Sequence, residues 1–172
     1  GKKYLARAPL AWYNLRKNGA DMKIIFVCHG NICRSPMAEF VMKDILARRG
    51  MSGCEVISRA ARTDEIGSDI YPPARRTLDA HGVPYARRAA RLITREEFAS
   101  ADLVVVMDGE NLRDMERAFG RSDKVRRLMS FAGEERDVAD PWYTRDFERT
   151  YSDVARGCAA LADEIAASAA AK

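Results

Sequence analysis

Two short, uninterrupted apolar runs, Lys23 to Val27 (KIIFV) and Leu103 to Met107 (LVVVM), constrain this chain more than any other feature. A strand with one wet face alternates apolar and polar residues, whereas an unbroken apolar run must be covered on both sides, as inside a parallel sheet. The intervening segments carry helical spacing instead. From Ser35-Pro36 onward, Met37, Phe40, Val41, Ile45 and Leu46 share one stripe, Lys43, Arg48 and Arg49 lie off it, and Gly50 stops the pattern. Pro36 is tolerated there because a first-turn residue has no intrahelical partner for its N–H. Glu55 to Ser58 reads as a weaker strand, and Pro72-Pro73 opens a helix to about Ala80 that His81-Gly82 closes. Thr94-Arg95-Glu96-Glu97 has the capping-box pattern of another helix start. Asn111 to Phe119 is amphipathic, Val125 to Met129 reads as an edge strand, and Phe147, Tyr151, Val154, Cys158, Leu161 and Ile165 mark a long final helix. This alternation predicts an α/β single-domain three-layer sandwich, with about four parallel strands and helices on both faces.

At 172 residues and 47% apolar, the chain is large enough for one well-filled core. Its net charge of +4 is unevenly placed. Lys2, Lys3, Arg7, Arg16 and Lys17 have no acid beside them within the first twenty residues, which leaves the remainder close to neutral. Residues 1–21 therefore read as a basic N-terminal extension, within which Leu5 to Asn18 could form a short helix. Met22 is a candidate natural start for a domain over 22–172. The apolar stretch Ala8 to Tyr13 is short and holds Pro9, so the extension lacks a secretory core, and no run approaches the roughly 20 residues of a membrane helix. The pairs Arg75-Arg76, Arg87-Arg88 and Arg126-Arg127 are scattered among acids and read as solvated faces, so neither nucleic acid nor membrane is expected as a partner. Cys28, Cys33, Cys54 and Cys158 in a chain of this size do not suggest a disulfide framework, and a reducing, cytoplasmic setting fits them.

In an open α/β sheet, ligands gather at the carboxyl ends of strands. The loop leaving the first buried strand is Cys28-His29-Gly30-Asn31-Ile32-Cys33-Arg34-Ser35. Each residue type has a task if the ligand is a phosphoryl group. Converging backbone N–H groups and the positive end of the next helix make an anion nest. Gly30 and Asn31 tolerate the left-handed torsions such a loop demands. Arg34 offers a planar fork for two oxygens, which lysine lacks. Cys28 at the base of the nest sits in a field that favours a thiolate, the nucleophilic form of cysteine, and Ser35 can donate a hydrogen bond to it. The spacing of Cys28, His29 and Cys33 is poor for zinc, and no metal or cofactor is expected.

Val27 to Ser35 (VCHGNICRS), followed by Pro36-Met37-Ala38-Glu39, closely resembles the phosphate-binding loop of the low-molecular-weight protein tyrosine phosphatases. The resemblance extends from Lys23 to the final helix through Ser58, His81-Gly82-Val83, Met107 to Asp114 (MDGENLRD) and Asp140-Pro141-Trp142-Tyr143 (DPWY). It implies a phosphatase I-like fold and hydrolysis of phosphotyrosine in protein substrates by a monomer. Cys28 would be the nucleophile, forming a phosphocysteine, with Arg34 as phosphoryl clamp and Asp140 as general acid and then base. His29, Gly30, Asn31, Ile32, Cys33 and Ser35 would complete the loop, with Asn31 held by Ser58, Ser35 and His81. Ile32, Trp142 and Tyr143 would wall the substrate pocket. Tyr143 is also a candidate phosphorylation site, and Cys33 would trap an oxidised Cys28 as a disulfide. Cys54 and Cys158 read as packing residues.

Two positions depart from the family pattern. Arg59 follows Ser58 where glycine is frequent, and Asp64-Glu65 stand where many members carry an aromatic, an acidic pair that should disfavour strongly acidic peptides. A related branch that removes phosphate from arginine has Thr at the position of Ile32, which favours phosphotyrosine here. Arsenate reduction on the same anion loop needs a relay of further cysteines, and none lies between Cys54 and Cys158. A non-catalytic anion-binding module is the remaining alternative, and intact Cys28, Arg34 and Asp140 argue against it.

Overall fold

The computed structural model describes residues 22–170. The basic extension, including the short helix expected over Leu5 to Asn18, lies outside the described residues. In chain order the elements are β1 (Met22–Cys28), α1 (Arg34–Arg48), β2 (Cys54–Ala60), α2 (Pro72–Ala80), α3 (Arg95–Ser100), β3 (Leu103–Val106), α4 (Gly109–Phe119), β4 (Val125–Arg127), α5 (Leu128–Phe131), α6 (Pro141–Thr144) and α7 (Phe147–Ala170). The four strands are parallel in the order β2-β1-β3-β4, so the two unbroken apolar runs occupy the centre of the sheet. Both are fully covered. Ile24 and Phe26 face one layer with Leu103 and Val105, under Met37 and Met42 of α1 and Val154 and Leu161 of α7. Ile25 and Val27 face the other with Val104 and Val106, under Phe98 of α3 and Met115 of α4. Each such side chain contributes roughly 1.5–3 kcal/mol on burial, so β1 and β3 anchor the fold and the edge strands complete it.

Local signals set several boundaries. The Thr94 hydroxyl accepts from the Glu97 N–H at 3.1 Å while Glu97 accepts from the Thr94 N–H at 3.0 Å, the reciprocal capping box expected there. Gly82 takes φ +66° after α2, a conformation that lets the chain leave the helix. The fourth strand is shorter than Val125 to Met129. It stops at Arg127, and Leu128 begins a helical turn that buries Leu128, Met129 and Phe131 beside α7. Alternating directions would send half of these apolar side chains to the wrong layer, and a helical turn sends them to one.

Gly157 on α7 makes that contact possible: a Cβ there would stand 2.5 Å from Leu128 Cγ. The segment leading to α6 is tied to α7 separately, by Arg136, whose Nη1 and Nη2 donate to the two Asp153 carboxylate oxygens at 2.9 and 2.8 Å. Arg136 holds the Asp153 carboxyl below the usual carboxylate range.

Two stability predictions arise from these contacts. Gly157→Ala gains about 1 kcal/mol of helix propensity but loses about 1–3 kcal/mol to overpacking, so its midpoint of thermal unfolding should fall. Asp153→Asn should cost about 1 kcal/mol at neutral pH, the modest size reflecting an Arg136 side chain that is 40% exposed. Because the folded carboxyl titrates below its unfolded counterpart, the stabilisation is present above the unfolded value and disappears as pH falls through the folded one. Urea unfolding at neutral and acidic pH should show the gap from wild type closing in acid.

Candidate active site

β1 ends on Cys28 at the carboxyl edge of the sheet, and after five intervening residues α1 begins at Arg34. No side chain caps the N-terminus of α1, so its first-turn N–H groups and positive dipole end remain directed at this edge. Cys28 is buried, with Sγ 3.1 Å from Ser35 Oγ and 3.4 Å from the Ser35 backbone N–H that points to it. Asn31 makes the sharpest turn of the loop at φ +60° with no exposed surface, a left-handed conformation that costs a non-glycine residue roughly 1–2 kcal/mol. Its Nδ2 donates to Ser35 Oγ at 2.8 Å and to Ser58 Oγ at 3.0 Å, and the Ser58 hydroxyl donates to Glu39 Oε1 at 2.7 Å.

Arg34 is fixed on three sides. Nη1 donates to Asp108 Oδ2 at 2.7 Å and to the Val138 carbonyl at 2.9 Å, and Nη2 donates to Asp140 Oδ2 at 3.3 Å. Burial works against the Arg34 charge, but Cys28, Asp140 and Asp108 together outweigh it and hold the guanidinium above its ordinary range. Asp140 caps α6, accepting the Trp142 N–H on Oδ1 at 3.0 Å, with Pro141 at the first helical position. Asp108 likewise caps α4, accepting from the Asn111 N–H at 2.8 Å. Two helix N-caps thus carry the carboxylates that face one arginine.

These groups open onto a cavity of about 390 Å³ lined by Cys28, Arg34, Ile32, Asp140, Trp142 and Tyr143 among others. Trp142 packs 5.5 Å from the Tyr71 ring and under Arg145 at 5.2 Å, while Tyr143 is 83% exposed at the mouth. Ile32 is pinned through its carbonyl, which accepts the Tyr71 N–H at 2.9 Å. His29 pairs with Asp64 on the rim, and Glu65 packs over Gly30, with Cγ 3.2 Å from where a Cβ would stand. Cys33 is buried in the same cavity wall, and burial, with Cys28 and Asp140 adding to it, pushes its thiol up, so it stays neutral. Among the described residues, no three His, Cys, Asp or Glu side chains converge to hold a metal ion, and no helix is long and apolar enough to cross a membrane.

His81 is not brought to the loop. Its Nε2 pairs with Glu148 at 2.7 Å and its ring stacks on Tyr151 at 3.7 Å, which ties the end of α2 to α7. The support expected of it comes from Arg88, which donates to the Asn31 carbonyl at 2.6 Å and to Asn31 Oδ1. Arg87-Arg88 is therefore only half a solvated face: Arg87 is exposed and Arg88 turns inward. Nothing in the local sequence separates the two, since neither has a periodic apolar neighbour to mark which one points in. Asp108 and Glu39 were likewise not singled out individually, although both lie within segments that carried the resemblance. Arg59 does not disturb the second strand. It pairs in register with Val27, and its guanidinium binds Glu97 at 2.7 and 2.8 Å.

Comparison with known proteins agrees with this geometry. Residues 23–171 match the family model described as low molecular weight phosphotyrosine protein phosphatase. The chain is 35% identical over 150 residues to the low molecular weight phosphotyrosine protein phosphatase of Sus scrofa, covering 83% of this chain and 94% of that one. The low molecular weight protein-tyrosine-phosphatase YfkJ of Bacillus subtilis is 30% identical over 149 residues, covering 84% and 96%. The YfkJ crystal structure superposes with a TM-score of 0.82 over 86% of this chain and 96% of that one. The structure of a Drosophila arginine phosphatase superposes at 0.77 with 26% identity, over 83% and 96%. With matching sequence over nearly all the described residues and a cysteine, an arginine and an aspartate around one cavity, the chain belongs to the low-molecular-weight phosphotyrosine protein phosphatase family.

Proposed function

We propose that this protein hydrolyses phosphotyrosine in protein substrates through a phosphocysteine formed on Cys28. The observation that carries the reading is the convergence of Cys28, Arg34 and Asp140 on one cavity, although Asp140 is more than a hundred residues from the other two. The loop N–H groups and Arg34 hold the phosphoryl oxygens and stabilise the charge that builds on them in the transition state. The Cys28 thiolate attacks phosphorus as the bond to the tyrosine oxygen breaks, and protonated Asp140 gives its proton to the departing phenolate. Asp140, now a carboxylate, takes a proton from a water that attacks the phosphocysteine, and inorganic phosphate leaves as the thiolate is restored with Ser35 hydrogen-bonded to it. Trp142 and Tyr143 supply walls for the phenyl ring. Cys33, in the wall of the same cavity, would close a disulfide when an oxidant converts Cys28 to a sulfenic acid, with water leaving. Four free thiols fit a reducing, cytoplasmic setting.

Purified protein should release phosphate from p-nitrophenyl phosphate and from a phosphotyrosine peptide, and Cys28→Ser should abolish release. Asp140→Asn should lower kcat by roughly 10²–10⁴-fold with a smaller change in KM; retained activity in Cys28→Ser overturns the reading. The Drosophila neighbour makes phosphoarginine the second substrate to try, and the apolar Ile32 side chain at the loop favours the aromatic ester, so kcat/KM should be higher for phosphotyrosine. A further expectation concerns the rim, where Asp64, Glu65, Asp108 and Glu110 all line the cavity. At low salt, phosphotyrosine peptides flanked by lysine should be turned over with higher kcat/KM than those flanked by glutamate, and added salt should shrink the ratio. Equal values at low salt would remove the rim from substrate selection.

A further inference from the structure

His29 follows Cys28 directly and lines the same cavity, and its imidazole stands between carboxylates from two other segments. Nε2 meets Asp64 on the loop after β2, while Nδ1 lies 4.0 Å from Glu110 Oε1 in the first turn of α4. An ionised carboxylate only accepts, so the Nε2 that faces Asp64 carries the proton of the neutral ring. Nδ1 is then a lone pair beside a second carboxylate, and a second proton would enter on a nitrogen that already faces a negative oxygen. The chain has two histidines, and the other, His81, is held away at the end of α2 by Glu148 and Tyr151.

The charges that surround this ring come from both segments. Asp64 and Glu65 lie on the loop after β2, Asp108 and Glu110 stand at the start of α4, and all four line the cavity. Arg62, on the same loop as Asp64, lies 3.7 Å from Glu110 and is committed to Asp114 at 2.9 Å, while Asp108 is matched by Arg34 at 2.7 Å. Carboxylates and guanidiniums ordinarily keep their charge between about pH 5.5 and about pH 8, and an imidazole does not. We propose that His29 is a specificity-determining residue: the proton it gains in acid offsets the acidic rim and weakens the preference for basic peptides, and its loss restores that preference. The proposal rests on the reading of the cavity as a phosphotyrosine site. One positive charge beside Asp64 and Glu110 makes the mouth attract a lysine less and repel a glutamate less. The two kinds of peptide therefore respond in opposite directions, whereas the ionisation of Cys28, Asp140 and the phosphate is common to both and cancels in the ratio of their rates.

Two peptides with the same phosphotyrosine core, one flanked by lysines and one by glutamates, are turned over at low salt from about pH 5.5 to about pH 8. The enzymes are wild type, His29→Gln and His29→Arg, each variant with circular dichroism matching wild type. The wild-type ratio of kcat/KM, lysine peptide over glutamate peptide, should rise about fivefold across this range. His29→Gln, neutral throughout, should show the high ratio at every pH, and His29→Arg, charged throughout, the low one. A wild-type ratio that does not change with pH, or a rise that persists in either variant, overturns the proposal. Dissociation constants of the same peptides from Cys28→Ser, which keeps His29 and cannot form the phosphocysteine, give the ratio without turnover. If wild type releases no phosphate while the dissociation ratio follows pH, the functional reading falls and the role of His29 stands. A constant dissociation ratio, or binding of neither peptide, removes the role of His29.

Discussion

Between Cys28 at the end of β1 and Arg34 at the start of α1, five residues reverse the chain, and Asn31 makes the reversal at φ +60° with no exposed surface. That buried left-handed residue is the constraint on which the site depends. The turn aims the first N–H groups of α1 at Cys28, and it can persist only where polar partners satisfy every arm of the Asn31 amide. Those partners come from three places in the fold: Ser35 on α1, Ser58 on β2, and Arg88 and Arg91 on the segment before α3. The reach of Arg88 and the register of β2 against β1 therefore serve the loop as much as the core does.

Arg34 plays a similar part on the other side of the cavity. Buried and paired with Asp108 and Asp140, it is expensive to leave uncompensated, and two helix N-caps supply the compensation. The arrangement places the Asp140 carboxylate and the Arg34 guanidinium in contact at 3.3 Å, with each dictating where the other can stand. The acid segment is secured further by the Arg136 to Asp153 pair and by the packing of Trp142 between Tyr71 and Arg145. A site assembled from four segments is thus rigid at its base and open at its rim, where Tyr143 and the acidic side chains meet solvent.

The fold was legible because burial on both faces leaves a mark that short windows record. KIIFV and LVVVM became β1 and β3, the capping box began α3, and the 4-3-4 spacing of Phe147 to Ile165 became α7. The fourth strand was over-extended because Leu128 and Met129 are apolar whether they sit in a strand or in a helical turn, and only α7 beside them selects the turn. Within the site, Cys28, Asn31, Ser35 and Ser58 share one hydrogen-bond network, and Arg34 lines the same cavity as Cys28. His81 does not support the loop, because its distance from Asn31 is set by how α2 packs on α7, through Glu148 and Tyr151.

By itself, the sequence determined the alternation of parallel strands and helices, since periodicity and turn preference over a few adjacent residues record it, while Cys28, Arg34 and Asp140 were marked by the resemblance of their motifs to a family. Only the tertiary structure decided which charged side chains turn inward. Arg87 and Arg88 are indistinguishable as letters, as are the carboxylates of Asp108, Asp137 and Asp140. What separates them is whether a distant segment offers each one a complete set of hydrogen-bond partners in place of water, and that is a property of the packed chain.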